Sequence, residues 1–258
     1  MNRALTRMFA VLFVVTLILA WPIRPALAAD PYGIDFTVAD VASVQAELRA
    51  EGLGLVADRL LVRHTVPIPA PGGRHWGMGF TTSSNWAGFV ADMGAGGTNS
   101  LDEARGFFTA RPVSTSPAVG SFVGIGGFNG TNLWQAGLDQ LAMQGWVEAY
   151  PGRAAYFTFP ISSGDTMFAR VVDNRNGTWD LLIQDWTNGN YVIGQAGCCP
   201  DKSTGDWIVE AQAGTPIPFF TTINFTASFY RINYDGVVRD IDSPVAQTTW
   251  NVKLVSVA

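Results

Sequence analysis

Two histidines, two cysteines and five glutamates set the limits of what this 258-residue chain can do chemically. Both histidines, His64 and His75, precede a long stretch of strand-forming sequence. If the segment that carries them is cut away, no imidazole remains. A Ser-His-Asp triad, a Cys-His pair and a His-ligated metal are then excluded. Cys198 and Cys199 are adjacent. Joined to each other they make a strained loop staple; two buried thiols, or pairing with another chain, are the other readings. With no base beside them, neither reads as a nucleophile.

Carboxylates are what is left. After residue 79 the glutamates are Glu103, Glu148 and Glu210. Glu103 stands in SLDEARG beside Asp102, a polar stretch that reads as a turn with a solvated charge. The other two stand in apolar strand sequence. In GWVEAYP the alternation puts Trp146, Glu148 and Tyr150 on one face of a strand. In DWIVEAQ it groups Glu210 with Ile208 and Gln212, and in LWQAGLD it groups Gln135 with Asp139. An acid on an apolar strand is costly unless its face is wet or the acid is paired. A solvent-facing sheet surface explains these carboxylates without function; a site explains them with it.

The elements that carry these groups are strands. From Phe80 onward, short runs rich in Val, Ile, Phe, Tyr, Trp and Thr alternate with turn clusters such as DNRNG and TNGN. About a dozen strands are expected between residues 80 and 258, which predicts an all-β fold, an antiparallel two-sheet sandwich or jelly roll. Composition agrees: aromatics are 12%, charged residues only 14%, and there are 28 Gly and 14 Pro. That excludes charge-driven disorder, coiled coil and collagen. The net charge of −5 and the presence of only two lysines, Lys202 and Lys253, leave no basic footprint for nucleic acid.

The first 79 residues differ. Arg3 and Arg7 precede an apolar run from Met8 to Trp21, followed by Ala26-Leu27-Ala28. This is the pattern of a secretory signal peptide, residues 1–28, cleaved before Ala29. The run is shorter than the roughly 20 residues of a membrane span. Val38, Val41, Val44 and Leu48 repeat at helical spacing before Gly52, and LGLVADRLLVRH extends the pattern as a second helix. Thr65 to Gly79, rich in Pro and Gly, reads as a linker. Residues 29–79 are thus expected to be a helical pro-segment, inhibitory and removable, on a secreted β domain.

Several motifs, taken in order, resemble those of the glutamic peptidases, or eqolisins. SNWAG at Ser84–Gly88 resembles the family's SNW[AG]G. FVGIGG at Phe122–Gly127 resembles WVGIDG, and LWQAGLD at Leu133–Asp139 resembles LQTG.D. WVEAYP at Trp146–Pro151 resembles WYEWYP, Gly164-Asp165 matches a GD before the next strand, and WIVE at Trp207–Glu210 resembles [FW]I[IV]E. Thr215–Phe219, TPIPF, adds to the likeness, which covers roughly residues 83–230. The resemblance implies a bent, lectin-like (concanavalin-like) sandwich with a cleft on a concave face. It implies a catalytic dyad of Gln135 and Glu210, with Trp86, Asp139, Trp146, Glu148 and Tyr150 around the cleft as substrate-binding residues. It implies an acid endopeptidase acting on polypeptides through an activated water, with no metal and no cofactor, as a secreted monomer.

Two positions depart from the family pattern. Gly126 replaces the Asp of GIDG and Phe122 replaces the Trp of WVG, both near the dyad. GFNGTNLW also lacks the family's cysteine, so the disulfide from that segment cannot form. A carbohydrate-active or carbohydrate-binding sandwich using Glu148 and Glu210, and a non-catalytic relative of the peptidases, are the alternative readings.

Overall fold

Residues that alternate between apolar and small or polar fill both layers of a β-sandwich. The computed structural model describes residues 85–93, 100–113, 118–128, 130–157, 159–197, 200–211 and 223–241. It adds Ala46, Arg49 and Ala50, and the strand pairings of residues 62–63, 67–68 and 252–255. The strands are β1 (Val62–Arg63), β2 (Pro67–Ile68), β3 (Trp86–Asp92), β4 (Leu101–Thr109), β5 (Val119–Gly126), β6 (Leu133–Asp139), β7 (Gln144–Tyr150) and β8 (Ala155–Phe157). They continue with β9 (Thr166–Asp173), β10 (Thr178–Asp185), β11 (Asn190–Gly197), β12 (Thr204–Ala211), β13 (Phe225–Ile232), β14 (Arg239–Asp240) and β15 (Val252–Val255).

These strands form two sheets. One has the order β1-β11-β10-β9-β4-β13-β14; the other runs β15-β3-β12-β5-β6-β7-β8-β2. Every pairing is antiparallel except that of β1 with β11. The all-β, two-sheet sandwich expected from the sequence is what forms.

The inner faces meet in one apolar core. Trp134, Ala136, Leu138, Val147, Ala149, Val123, Ile125 and Trp207 come from the eight-stranded sheet. Ala104, Phe108, Ala169, Val171, Trp179, Leu181, Ile183 and Tyr230 face them from the seven-stranded sheet. Two indoles tie the layers together by hydrogen bonds as well as by area. Trp207 Nε1 donates to the Arg105 carbonyl at 2.9 Å, and Trp134 Nε1 donates to the Gly197 carbonyl at 3.1 Å. Strand alternation then sends the intervening residues outward, and this fixes the candidate site on the outer face of the eight-stranded sheet.

Three expectations need correction or placing. Glu103 is neither in a turn nor solvated: it lies in β4 and is 2% exposed. Its Oε1 accepts from Arg105 Nη1 at 3.0 Å and from Arg170 Nε at 2.9 Å. Arg231 Nη1 stands 3.1 Å from Oε2, and Arg231 Nε donates to Asp102 Oδ2 at 2.7 Å. The reason is local: Arg231 pairs with Glu103 but Ile232 pairs with Leu101, so Asp102 is the extra residue of a bulge. The bulge turns two adjacent acids toward the same guanidinium. Val62–Arg63, expected to end a second helix, is a strand, and Pro67–Ile68 in the linker is another. Ala46, Arg49 and Ala50 are helical and exposed. The signal sequence, the rest of the helical stripe, His64, His75, Cys198 and Cys199 lie outside the described residues. Among those described, no helix is long and apolar enough to cross a membrane.

Candidate active site

Four strands supply the site: β3, β12, β6 and β7, with β5 running between β12 and β6. Their outward residues are mostly apolar. Trp86, Val90, Phe122, Leu133, Trp146, Tyr156 and Ile208 form one cluster, with Tyr150 packed against it. Phe122 sits between two indoles, 5.6 Å from Trp86 and 6.0 Å from Trp146, edge-on to both. Such contacts add about 0.5–1.5 kcal/mol each beyond area burial. Trp86 and Trp146 are fully buried, so both are packed parts of the face; Tyr150 is half-buried at its rim.

Into this apolar face the sequence inserts polar groups. Gln135, Asp139, Glu148, Asp206 and Glu210 are all 0% exposed. Gln135 and Glu148 are direct partners in the β6–β7 ladder, and Gln135 Nε2 donates to Glu148 Oε2 at 2.7 Å. Gln135 therefore has a fixed orientation. One amide N–H is committed to Glu148, the other is left over, and Oε1 has no hydrogen-bond partner among the described residues.

Glu210 is held from the opposite side. It pairs with Trp86 across the β3–β12 ladder, and Asn85 Nδ2 donates to its Oε1 at 3.1 Å. Burial pushes the Glu210 carboxyl well above the usual range. The Trp86 indole pulls it down, the charge of Glu148 raises it, and the Asn85 amide pulls it down again. Glu148 therefore links the two halves of the site: it hydrogen-bonds Gln135 and acts electrostatically on Glu210. Gln135 and Glu210 are not ladder partners. Glu210 opposes Gly120, Gly120 opposes Asp139, and Asp139 lies four residues beyond Gln135.

The ground between them is made of glycine. Gly120, Gly124 and Gly137 carry the ladder where a side chain would fill the face. At Gly137 a Cβ would stand 2.5 Å from the Ser121 carbonyl oxygen, 2.8 Å from Phe122 Cβ and 2.9 Å from Trp146 Cζ2. Gly126 explains one departure noted above. Its φ is +91°, and a Cβ there would lie 2.3 Å from the Asn132 carbonyl oxygen and 2.7 Å from that of Asp201. No aspartate fits at 126 on this backbone.

Asp139 has a second duty. Its Oδ1 accepts from the backbone N–H groups of Leu141 and Ala142 at 2.8 and 2.9 Å, closing the turn into β7. Sequence reasoning passed over two residues of this face. Asn85 was visible only as part of SNWAG. Asp206 lies four residues before Glu210, so strand parity alone puts it on the same face. It joins the row Asp206–Gly124–Gln135–Glu148, and burial drives its carboxyl well upward too. Among the described residues no cluster of three or more His, Cys, Asp or Glu could hold a metal ion.

Known proteins place the chain. Scytalido-glutamic peptidase, solved with a transition-state analogue inhibitor, superposes with a TM-score of 0.53. It is 20% identical over 67% of this chain and 88% of its own, a likeness of fold. Aspergilloglutamic peptidase from Aspergillus niger is 25% identical over 41% of this chain and 70% of its own, with a TM-score of 0.36. No curated protein sequence matches the chain. The sequence profile of the peptidase A4 family matches residues 84–246, which takes in every strand that lines the buried polar face. With more than half its length matched in this way, the chain belongs to the peptidase A4 family and is a glutamic peptidase, a hydrolase of polypeptides.

Proposed function

We propose that this protein is a secreted, acid-acting endopeptidase that cleaves through Gln135 and Glu210. The observation that carries the reading is the arrangement of Gln135, Glu148 and Glu210 on one buried face. One amide is oriented by a carboxylate, and one carboxyl is pushed toward its protonated form. Ionised Glu210 takes a proton from water, and the resulting hydroxide attacks the scissile carbonyl. The second Gln135 N–H, left over from the bond to Glu148, donates to the oxyanion of the tetrahedral intermediate. As the C–N bond breaks, Glu210 returns its proton to the leaving nitrogen. Proton and charge balance within one carboxyl and one water, with no covalent intermediate.

The zymogen part of the proposal rests on topology. Ile68 lies beside β8, at one margin of the eight-stranded sheet, while Trp86 opens β3 near the other. Six strand spacings separate β2 from β3, about 29 Å at roughly 4.8 Å each. β2 belongs to the expected pro-segment and pairs with β8 at the margin of the sheet that carries the site, which supports a pro-segment docked on the peptidase domain. Release of this segment by acid opens the cleft, and the N-terminal pattern of Arg3, Arg7 and the apolar run directs export.

The test is a ranking at acid pH on a denatured protein substrate. Glu210→Gln removes both proton transfers and brings turnover to background. Gln135→Ala loses about 10² to 10³ in kcat. Glu148→Gln keeps substantial turnover with altered KM or pH optimum. A dead Glu148→Gln beside an active Gln135→Ala would instead support a two-carboxylate enzyme of the glycosidase kind.

A further inference from the structure

We propose that Asn85 is the positioning residue of Glu210, holding Oε1 as a permanent acceptor so that Oε2 is the oxygen that takes and returns the proton. This rests on the role proposed for Glu210. Asn85 is anchored by its own backbone, since the Ala211 N–H donates to the Asn85 carbonyl at 2.9 Å and extends the β3–β12 ladder by one residue. Its side-chain amide then spans two acceptors of β12. Nδ2 lies 3.1 Å from Glu210 Oε1 and 3.3 Å from the Ala211 carbonyl oxygen. An NH2 group has two N–H bonds and nothing to accept with. One N–H is turned to the Ala211 carbonyl, so the other is aimed at Oε1, and Asn85 is only 7% exposed.

The two oxygens of Glu210 are thereby made unequal. Oε1 faces a donor in both protonation states, so a proton on the carboxyl resides on Oε2. Among the described residues Oε2 makes no hydrogen bond of normal geometry, and the Trp86 indole is the other donor that acts on this carboxyl. The catalytic water and the leaving nitrogen must therefore meet Glu210 at Oε2. Around this carboxyl, Glu148 on β7 is the charged group that acts on it, with the neutral Trp86 at the start of β3 and Asn85 just before it opposing; Asp139 faces it along the row across Gly120. Removing the Asn85 donor leaves burial and Glu148 less opposed, and the carboxylate becomes harder to form. Because the ionised form starts the reaction, the acid limb of the rate profile moves to higher pH.

The experiment compares wild type, Asn85→Ala, Asn85→Asp and Glu210→Gln in the acid-treated full-length protein. The first readout is the pH profile of kcat and kcat/KM on a denatured protein. The second is the ¹³Cδ titration of glutamate-labelled protein, with the Glu210 resonance assigned by its absence in Glu210→Gln. Asn85→Ala should raise the Glu210 midpoint and the acid limb together by about one pH unit, the scale of a hydrogen bond to a charged group. Asn85→Asp, which keeps the shape but adds a like charge when ionised, should raise the midpoint at least as far. KM should change little against kcat. A Glu210 midpoint that stays within about 0.3 unit in both Asn85 variants overturns the inference. If Glu210→Gln keeps its turnover, the dyad reading fails instead, and the resonance titration still decides whether Asn85 controls that carboxyl.

Discussion

Replacing Glu103 by glutamine should destabilise the protein strongly while leaving its chemistry alone. Glu103 gathers Arg105, Arg170 and Arg231 within 3.1 Å, and these side chains are no more than a tenth exposed. Asp102 is the other carboxylate in the group and already serves Arg231. Glutamine keeps the volume but removes the charge and turns an NH2 toward guanidiniums that can only donate. Breaking a buried ion pair from one side costs about 3–5 kcal/mol, because the partner charge stays buried. For a chain of this size each kcal/mol moves Tm by roughly 2–4 °C, so the expected drop is about 6–20 °C. Differential scanning calorimetry on the two proteins measures it. The cluster lies on the outward side of the seven-stranded sheet, with the whole core between it and Glu210. kcat well below the new Tm should therefore match wild type. A Tm within about 2 °C of wild type would refute the claim that this network is a paid-up buried ion cluster rather than a hydrated surface group.

Further outcomes follow from the same geometry. Asp206 holds its proton more tightly folded than unfolded, so the folded state gains from acid: its contribution is present below the unfolded pKa and is lost as pH rises through the folded one. The Asp206 contribution to Tm should fall as pH rises above the usual carboxylate range, and Asp206→Asn should flatten that slope and be the more stable protein at neutral pH. Gly137→Val should disturb the packing of Phe122 and Trp146 and cost about 1–3 kcal/mol or more, seen in thermal unfolding and in the near-ultraviolet circular dichroism of the indoles. Acid treatment should give a new N-terminus between Arg74 and Ser84; full activity with residues 29–79 still attached would contradict the zymogen reading.

The site was legible where it depends on strand parity. Alternation alone placed Gln135 with Asp139, Trp146 with Glu148 and Tyr150, and Glu210 with Ile208, and the sheet keeps each set on one face. It could not show that the sets share a face, because that depends on register between strands far apart in sequence. Asn85 and Glu210 are 125 residues apart, and no local pattern announces their bond. Glu103 was misread for the same reason. SLDEARG is polar by itself, and its burial comes from Arg170, 67 residues on, and from a bulge against β13. β1 and β2 have two residues each, too few for any periodicity to register.

The pairing of β1 and β2 with the sandwich has a consequence for how the protein behaves in concentrated solution. β1 lies along β11 at the margin of one sheet and β2 along β8 at the margin of the other. Both come from the segment that maturation removes in our reading. β8 is three residues long and offers little to a neighbouring molecule. β11 is eight residues, Asn-Tyr-Val-Ile-Gly-Gln-Ala-Gly, with no charge and no proline. An uncharged margin of that length is a template for intermolecular strand addition, and the two lysines of the chain, Lys202 and Lys253, both lie outside it. In the precursor β1 shields only the first two residues of this margin, Asn190 and Tyr191. The mature form would self-associate along β11 first, and a single lysine placed at Gln195 would be the simplest way to keep it dispersed.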